Sequence, residues 1–266
     1  MSIDFHDPKN KTSYTERTVD NAWMKLVKSE VRLQSIQAAD IGCGGGIYSK
    51  ALIEMGVGAV VGIDFSQAML EGAAAYTARH TNIRYQQGKA LHTGLDNASV
   101  ELVLERALIH HLSSDELVGC MKEANRILKS EGVLIVQDRT PEDCAIAGSR
   151  KHLRGYIFDK FPRLLPEESG RRYSSNQVLA ALRTAGFNQL KEIPLWETRR
   201  QYTHFAEFRE DLLLRSGRSI LHELTDVELE HLIAYIEQQL AVEDLEALNE
   251  PLVEQDRWTL WFARKD

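Results

Sequence analysis

From about residue 35 to 195, short apolar runs alternate with stretches in which apolar residues recur every three or four positions. That alternation predicts strands joined by crossover helices, hence an α/β fold with a mainly parallel sheet. The strand-like runs cover 35–41, 59–64, 83–87, 100–105, 133–138 and 189–195. Helix signals fall between them. A helix over 47–55 stops at Gly56, and Ser66 stands where an N-cap is needed. Ser113 and Glu116 have capping-box spacing ahead of Leu117, Met121, Ala124 and Leu128, with Gly132 just past that helix. Ser174 and Gln177 repeat the box, and Gly186 closes the helix.

Beyond residue 195 the pattern changes. Phe205, Phe208 and Leu212 share a helical face. Thr225 and Glu228 form a third box before Leu229, Leu232, Ile233, Ile236 and Leu240. Residues 196–256 therefore read as a helical insertion, and 257–264 (RWTLWFAR) as a last strand returning to the sheet. The expected organisation is an N-terminal helical cap over 1–34, a sheet core over 35–195, the helical insertion, and a last strand over 257–266.

Composition narrows the classes. The chain has 266 residues, 43% of them apolar and 27% charged, enough for a core and a soluble surface. No apolar run approaches the roughly 20 residues of a membrane span, and the polar start lacks a signal-peptide pattern. The expectation is a cytoplasmic protein with no membrane partner. A formal charge of −7 argues against general nucleic-acid binding. One basic stretch, Lys151, Arg154, Lys160, Arg163, Arg171 and Arg172, reads either as a solvated face or as a rim for an anionic substrate. Cys43, Cys120 and Cys144 fit neither a disulfide framework nor a metal-ligand spacing. No metal is expected.

The densest chemistry is Ala39-Asp40-Ile41-Gly42-Cys43-Gly44-Gly45-Gly46. Glycines after a buried strand permit a tight turn and let a ligand approach the backbone near a helix N-terminus. Asp64 ends the next strand, where an open α/β sheet places an acid for ribose hydroxyls. A plain tight turn and an ordinary N-cap aspartate are the bland readings. An NAD-binding loop has the same logic but a different glycine spacing.

The segments DIGCGGG (40–46), GIDFSQAML (62–70), QGKALHTG (87–94), VELVLERALIHHL (100–112) and EANRILKSEGVLIVQDRT (123–140) together resemble the small-molecule class I methyltransferases that use S-adenosylmethionine. That broad group includes quinone-biosynthesis C-methyltransferases. The resemblance implies a doubly wound, Rossmann-like, seven-stranded and mostly parallel sheet with the helical insertion before the last strand. It implies that Asp40, Gly42, Gly44 and Gly46 shape the pocket for the methionine half of the cofactor, and that Asp64 holds the ribose. Phe65 and Met69 border adenine, Lys89 and Ala90 face it from the loop after the third strand, and Glu105 and Arg106 lie under the sulfonium. Tyr14 and Arg17 belong to an N-terminal helix that folds over the cofactor. Where the family has Gly-Asp-Ala, this chain has Gly88-Lys89-Ala90, and lysine has no acceptor for the adenine amino group.

The implied activity is methyl transfer from S-adenosylmethionine to a small-molecule acceptor by in-line displacement. His110 or His111 is the candidate base, with Arg106 as a further catalytic candidate; a structural His-His-Leu is the other reading. Tyr156, Phe158, Phe161, Trp196, Tyr202 and Phe205 either wall the acceptor pocket or pack a small helical core. A non-catalytic cofactor-binding sensor or partner, and an NAD-dependent oxidoreductase, are the competing functions.

Overall fold

The computed structural model describes residues 19–215, 217–243 and 248–266. The strands are β1 (Gln37–Ile41), β2 (Ala59–Asp64), β3 (Ile83–Gln87), β4 (Val100–Arg106), β5 (Leu128–Asp138), β6 (Gln189–Tyr202) and β7 (Leu252–Arg264). They form one seven-stranded sheet in the order β3-β2-β1-β4-β5-β7-β6. β1 to β5 pair in parallel. β7 runs antiparallel to β5, from Val133 opposite Arg264 to Asp138 opposite Thr259. The order reverses between β1 and β4, so a crevice opens beyond the carboxyl ends of those strands.

The helices are α1 (Asn21–Glu30), α2 (Ile47–Glu54), α3 (Gln67–Tyr76), α4 (Ser114–Ile127), α5 (Pro141–Cys144), α6 (Gly155–Lys160), α7 (Leu165–Gly170), α8 (Ser175–Thr184), α9 (Phe205–Leu213) and α10 (Asp226–Glu243). Each expected capping box forms. Ser113 closes on Glu116, Ser174 on Gln177 and Thr225 on Glu228. Such caps are worth about 1 kcal/mol each, because they satisfy amides that the helix itself leaves open.

By internal contacts the described chain divides into two units. The sheet unit holds 19–139, 172–195 and 258–266, and buries two cores. Ile41, Ile63, Val103, Met121, Leu182 and Trp261 belong to one. Trp23, Leu52, Leu102, Ile135 and Leu260 belong to the other. Within that second core α1 buries Trp23 completely, and its Nε1 donates to Gln137 Oε1 at 2.8 Å. The helical unit holds 140–171 and 196–257, with a core of its own that includes Tyr156, Phe208, Leu232 and Leu252. Residues 140–171 thus pack with the later helices.

Three boundaries differ from expectation. α4 stops at Ile127 because Leu128 is already extended. Residues 128–132 then enter β5 through a register shift against β4, with Glu131 at φ 63°. Gly132 therefore lies inside the strand and caps no helix. β6 continues past 195 to Tyr202, and β7 begins at Leu252, so 196–202 and 252–256 are strand. Their alternation is hidden by charge. In β7 the buried positions after Leu252 are Glu254 and Asp256, 1% and 4% exposed. Arg199 of β6 lies 3.3 Å from Glu254 and 4.0 Å from Asp256. A period of two survives in burial but not in hydropathy.

Candidate active site

The loop after β1 turns on glycines in the left-handed region. Gly46 (φ 78°) is the N-cap of α2, and a Cβ there would strike the Tyr85 hydroxyl and come within 3.0 Å of Ala73 Cβ. Its glycine is demanded by packing between α2, α3 and β3. Gly44 (φ 50°) differs: a Cβ there would meet only Met69 Cε, at 3.5 Å. The open face of the loop is therefore at Gly44, beside a buried thioether.

Most loop amides are used internally. Gly42 and Cys43 donate to Ile63 O at 2.7 and 3.0 Å, and Gly46 to Cys43 O at 2.9 Å. Gly44 N–H donates to Asp64 Oδ2 at 3.0 Å, while Ser66 N–H donates to Oδ1 at 2.9 Å. A phosphate-binding loop would turn these donors outward. This loop offers shape and a carboxylate, which suits an unphosphorylated nucleoside better than a dinucleotide.

Around it the strand ends gather most of the expected residues. Asp40, at the end of β1, accepts from Ser49 Oγ at 2.6 Å, and burial pushes its carboxyl up to about 6. Phe65 follows Asp64 with 48% of its surface exposed, unusual for an aromatic and consistent with a ring platform. Gly88 N–H donates to Asp64 O at 3.0 Å, which seats the loop after β3 against the end of β2. In that loop Lys89 and His92 pair through their backbones. Lys89 is exposed, and Ala90 packs on the first core. Tyr14 and Arg17 lie outside the described residues.

Glu105 is a correction. Its side chain points to the α4 face of the sheet and is 0% exposed, with Cys120 Sγ donating to Oε1 at 3.2 Å. Residues alternate along β4, so Glu105 and Arg106 cannot both face one ligand. A residue without exposed surface touches no cofactor laid over the strand ends. Burial pushes its carboxyl up to about 7, close to half-protonated at neutral pH. Arg106 takes the other face, its guanidinium carbon 4.3 Å from the Tyr48 ring centroid and 4.5 Å from that of Trp258.

His110 and His111 follow β4 in a short 3₁₀ turn, their rings 4.0 Å apart. They differ in setting. His110 Nδ1 lies 2.8 Å from Asp138 Oδ2, and Asp138 also accepts from Arg172 at 2.7 Å and from Arg139 N–H at 2.8 Å. Burial acts to raise the Asp138 carboxyl, but His110, Arg172 and the amide hold it far below the usual carboxylate range. His111 is exposed. Asp138, Arg139, Tyr48 and Trp258 escape sequence reading as site residues, and Arg172 stood out only as part of the basic stretch. Asp138 and Arg139 look like the routine end of an apolar strand, and their partners are 28 to 119 positions away.

The remaining candidates resolve locally. Tyr156, Phe158, Tyr202 and Phe205 are at most 6% exposed and belong to the helical unit's core, not to a pocket wall. Phe161 packs on that core, and Trp196 is 37% exposed. In the basic stretch Arg154 and Arg171 pair with Glu168, and Arg163 with Glu228. All three cysteines are buried free thiols, and burial pushes Cys43 and Cys120 up. Among the described residues no group of three or more His, Cys, Asp or Glu could hold a metal ion, and no helix is long and apolar enough to cross a membrane.

Comparison with known proteins agrees with this arrangement. Residues 39–136 match the family model of a methyltransferase domain. A ubiquinone biosynthesis O-methyltransferase of Pelagibacter ubique is 28% identical over 135 residues, 50% of each chain. A demethylmenaquinone methyltransferase of Staphylococcus aureus is 32% identical over 116 residues, 42% of this chain and 47% of that one. The chain spans about half the length of these relatives. A solved structure, a candidate methyltransferase from an antibiotic biosynthesis pathway of Anabaena variabilis, superposes with a TM-score of 0.67 at 22% identity, covering 92% of this chain and 98% of that one. Residues 39–136, which carry the glycine loop and strands β1 to β4, are thus similar in sequence to a methyltransferase domain, and the fold is that of the solved methyltransferase-like neighbour.

Proposed function

We propose that this chain binds S-adenosylmethionine over the carboxyl ends of β1, β2 and β4 and transfers its methyl group to a small-molecule acceptor by in-line displacement. The observation that carries the reading is the Asp64–Gly44 hydrogen bond. It fixes a carboxylate beside the open face of the glycine loop, where ribose hydroxyls need an acceptor. Gly42 and Gly46 set the turn, Gly44 lines the methionine side with Asp40 bordering it, and Met69 borders adenine. Phe65 offers a face to adenine, with Lys89 and Ala90 at its edge; the exposed Lys89 supplies no acceptor, so adenine depends on stacking and backbone groups.

When bound, the cofactor supplies a methyl group on a positively charged sulfur. The protein's part is to align the acceptor and to handle its proton. Alignment alone is worth up to roughly 7–11 kcal/mol in ideal cases. Asp138 faces His110 Nδ1, which fixes a proton on that nitrogen and leaves Nε2 as the base. His111, which is exposed, is the weaker candidate.

Calorimetry with S-adenosylhomocysteine tests the reading. Wild-type protein binds it, and Asp64→Ala weakens binding by about 1–3 kcal/mol as charged hydrogen bonds are lost. Folded protein that gives no heat overturns the cofactor assignment. With an accepted substrate, His110→Ala lowers kcat/KM by roughly 10²–10⁴-fold at unchanged S-adenosylhomocysteine affinity. An undiminished rate removes the base from the mechanism. Binding without turnover across a broad acceptor panel favours a sensor instead.

A further inference from the structure

His110 does not meet Asp138 alone. The buried carboxylate, 1% exposed, divides its two oxygens between two sets of donors. Oδ2 takes the His110 ring at 2.8 Å and the His110 N–H at 3.3 Å. Oδ1 takes an Arg172 guanidinium nitrogen at 2.7 Å and the Arg139 N–H at 2.8 Å. The next residue, Tyr173, donates its hydroxyl to Leu112 O at 2.7 Å, and Leu112 N–H closes back on Ile109 O at 3.1 Å. Two consecutive residues therefore grip the histidine turn, Arg172 through its carboxylate and Tyr173 through its closing carbonyl.

An ionised carboxylate this deep needs a cation beside it, because burial removes the water that would otherwise stabilise its charge. Two side chains on the carboxylate can supply that cation. Arg172, only 5% exposed in its side chain, is charged at any working pH. An imidazole supplies a cation only by taking up a proton. With Arg172 in place, His110 can donate Nδ1–H to Oδ2 as a neutral ring and keep the lone pair on Nε2. Take Arg172 away, and the buried charge draws a proton onto His110, which leaves Nε2 no lone pair for a substrate proton. We propose that Arg172 is a positioning residue that supplies the countercharge of Asp138 and so keeps His110 available as a base, with Tyr173 fixing the turn that carries it; the part in catalysis rests on the role proposed for His110 above.

The other charged and titratable groups around the ring do not take over this part. His111 has its ring centroid 4.0 Å away, and a charge there would oppose a second charge on His110. Glu105 pairs with Val136, two residues before Asp138, and so shares its face of the sheet, but its carboxyl accepts from Cys120 Sγ. Arg139 gives Asp138 its backbone N–H, while its guanidinium carbon lies on the opposite face, 4.4 Å from the Trp258 ring centroid. Tyr173 spends its hydroxyl proton on Leu112 O.

The test reads His110 directly, on the full chain labelled with ¹⁵N-histidine and titrated by NMR; His110→Gln assigns its ring signals. In Arg172→Gln the signal of the unprotonated Nε2 is lost at a pH higher than in wild type by about one unit or more. Arg172→Lys, which keeps the charge, restores most of the wild-type titration. Tyr173→Phe loosens the turn without changing any charge, and leaves the titration where it was. Urea denaturation carries the test should Arg172→Gln be only marginally folded. A proton held more tightly by the folded than by the unfolded imidazole adds stability at low pH and is lost as pH rises, so the variant loses less against wild type at about pH 5.5 than at about pH 8. Equal losses at both pH values overturn the proposal, as does a His110 titration that Arg172→Gln does not raise. With an accepted methyl acceptor, the acid limb of kcat/KM moves up together with the NMR titration. If the titration moves while the pH profile of kcat/KM does not, Arg172 is the countercharge and His110 is not the base. If His110→Ala abolishes turnover while Arg172→Gln leaves the titration in place, the base stands and this role of Arg172 falls.

Discussion

At the scale of single residues, the two acids at the ends of β1 and β4 carry opposite lessons to Asp138. Asp40 and Glu105 are buried with few donors, so burial dominates and raises them to about 6 and about 7. Asp138 is equally buried but gathers His110, Arg172 and an amide, and stays ionised. Glu105 gives a stability prediction with a definite sign. Its folded-state value lies above the ordinary 4.5, so the native state holds the proton more tightly. Stability is then fullest below about 4.5 and declines as pH rises toward about 7, where the native carboxyl also ionises. Glu105→Gln keeps an acceptor for Cys120 without that charge. It should stabilise the protein by about 2–3 kcal/mol at pH 8 and remove the decline between pH 5 and 7. Urea titration across pH measures this; an unchanged pH profile would show that Glu105 does not control it.

At the scale of elements, the glycine loop separates roles that the sequence merges. Gly44 faces open space, while Gly46 is required by α2 and by Tyr85. Gly46→Ala places a Cβ in the left-handed region and against the tyrosine hydroxyl. The expected cost is about 2–4 kcal/mol, in the range of overpacking plus backbone strain. Equilibrium denaturation reads it, and Tyr85→Phe in the same background should recover part of the loss. A mutant as stable as wild type would sever Gly46 from this packing. The same scale accounts for β6 and β7. Arg199, Glu254 and Asp256 occupy positions that apolar residues normally fill, so the extensions 196–202 and 252–256 are invisible to a hydropathy pattern. By contrast β2 and β3 keep the bounds expected from sequence, 59–64 and 83–87.

At the scale of the molecule, the helical unit is organised around a buried cation. Arg218, 1% exposed in its side chain, donates to Asp211 and Glu254 at 2.5 and 2.6 Å and to the Tyr202 hydroxyl at 3.0 Å. Its loss would leave buried Asp211 to the half-exposed Arg200 and buried Glu254 to the more distant Arg199, removing the one buried cation that bridges them. Arg218→Ala should therefore destabilise the helical unit by about 3–5 kcal/mol. Scanning calorimetry is the measurement: the substitution shifts the unfolding of the helical unit, whereas S-adenosylhomocysteine shifts that of the sheet unit. A single transition that responds equally to both would show the two cores to unfold as one.

The division between sequence and tertiary structure follows from the range of the interactions. Strand and helix periodicity, capping boxes and the glycine loop are written within a few positions of one another. They determined the α/β class, the locations of seven strands, and the glycine loop with Asp64 at the end of the next strand. The pairing of His110 with Asp138, the withdrawal of Glu105 to the α4 face, and the meeting of Arg106 and Arg139 on Trp258 needed the folded sheet. Each joins side chains from different strands or helices, and their direction depends on register and strand order, which no local pattern encodes.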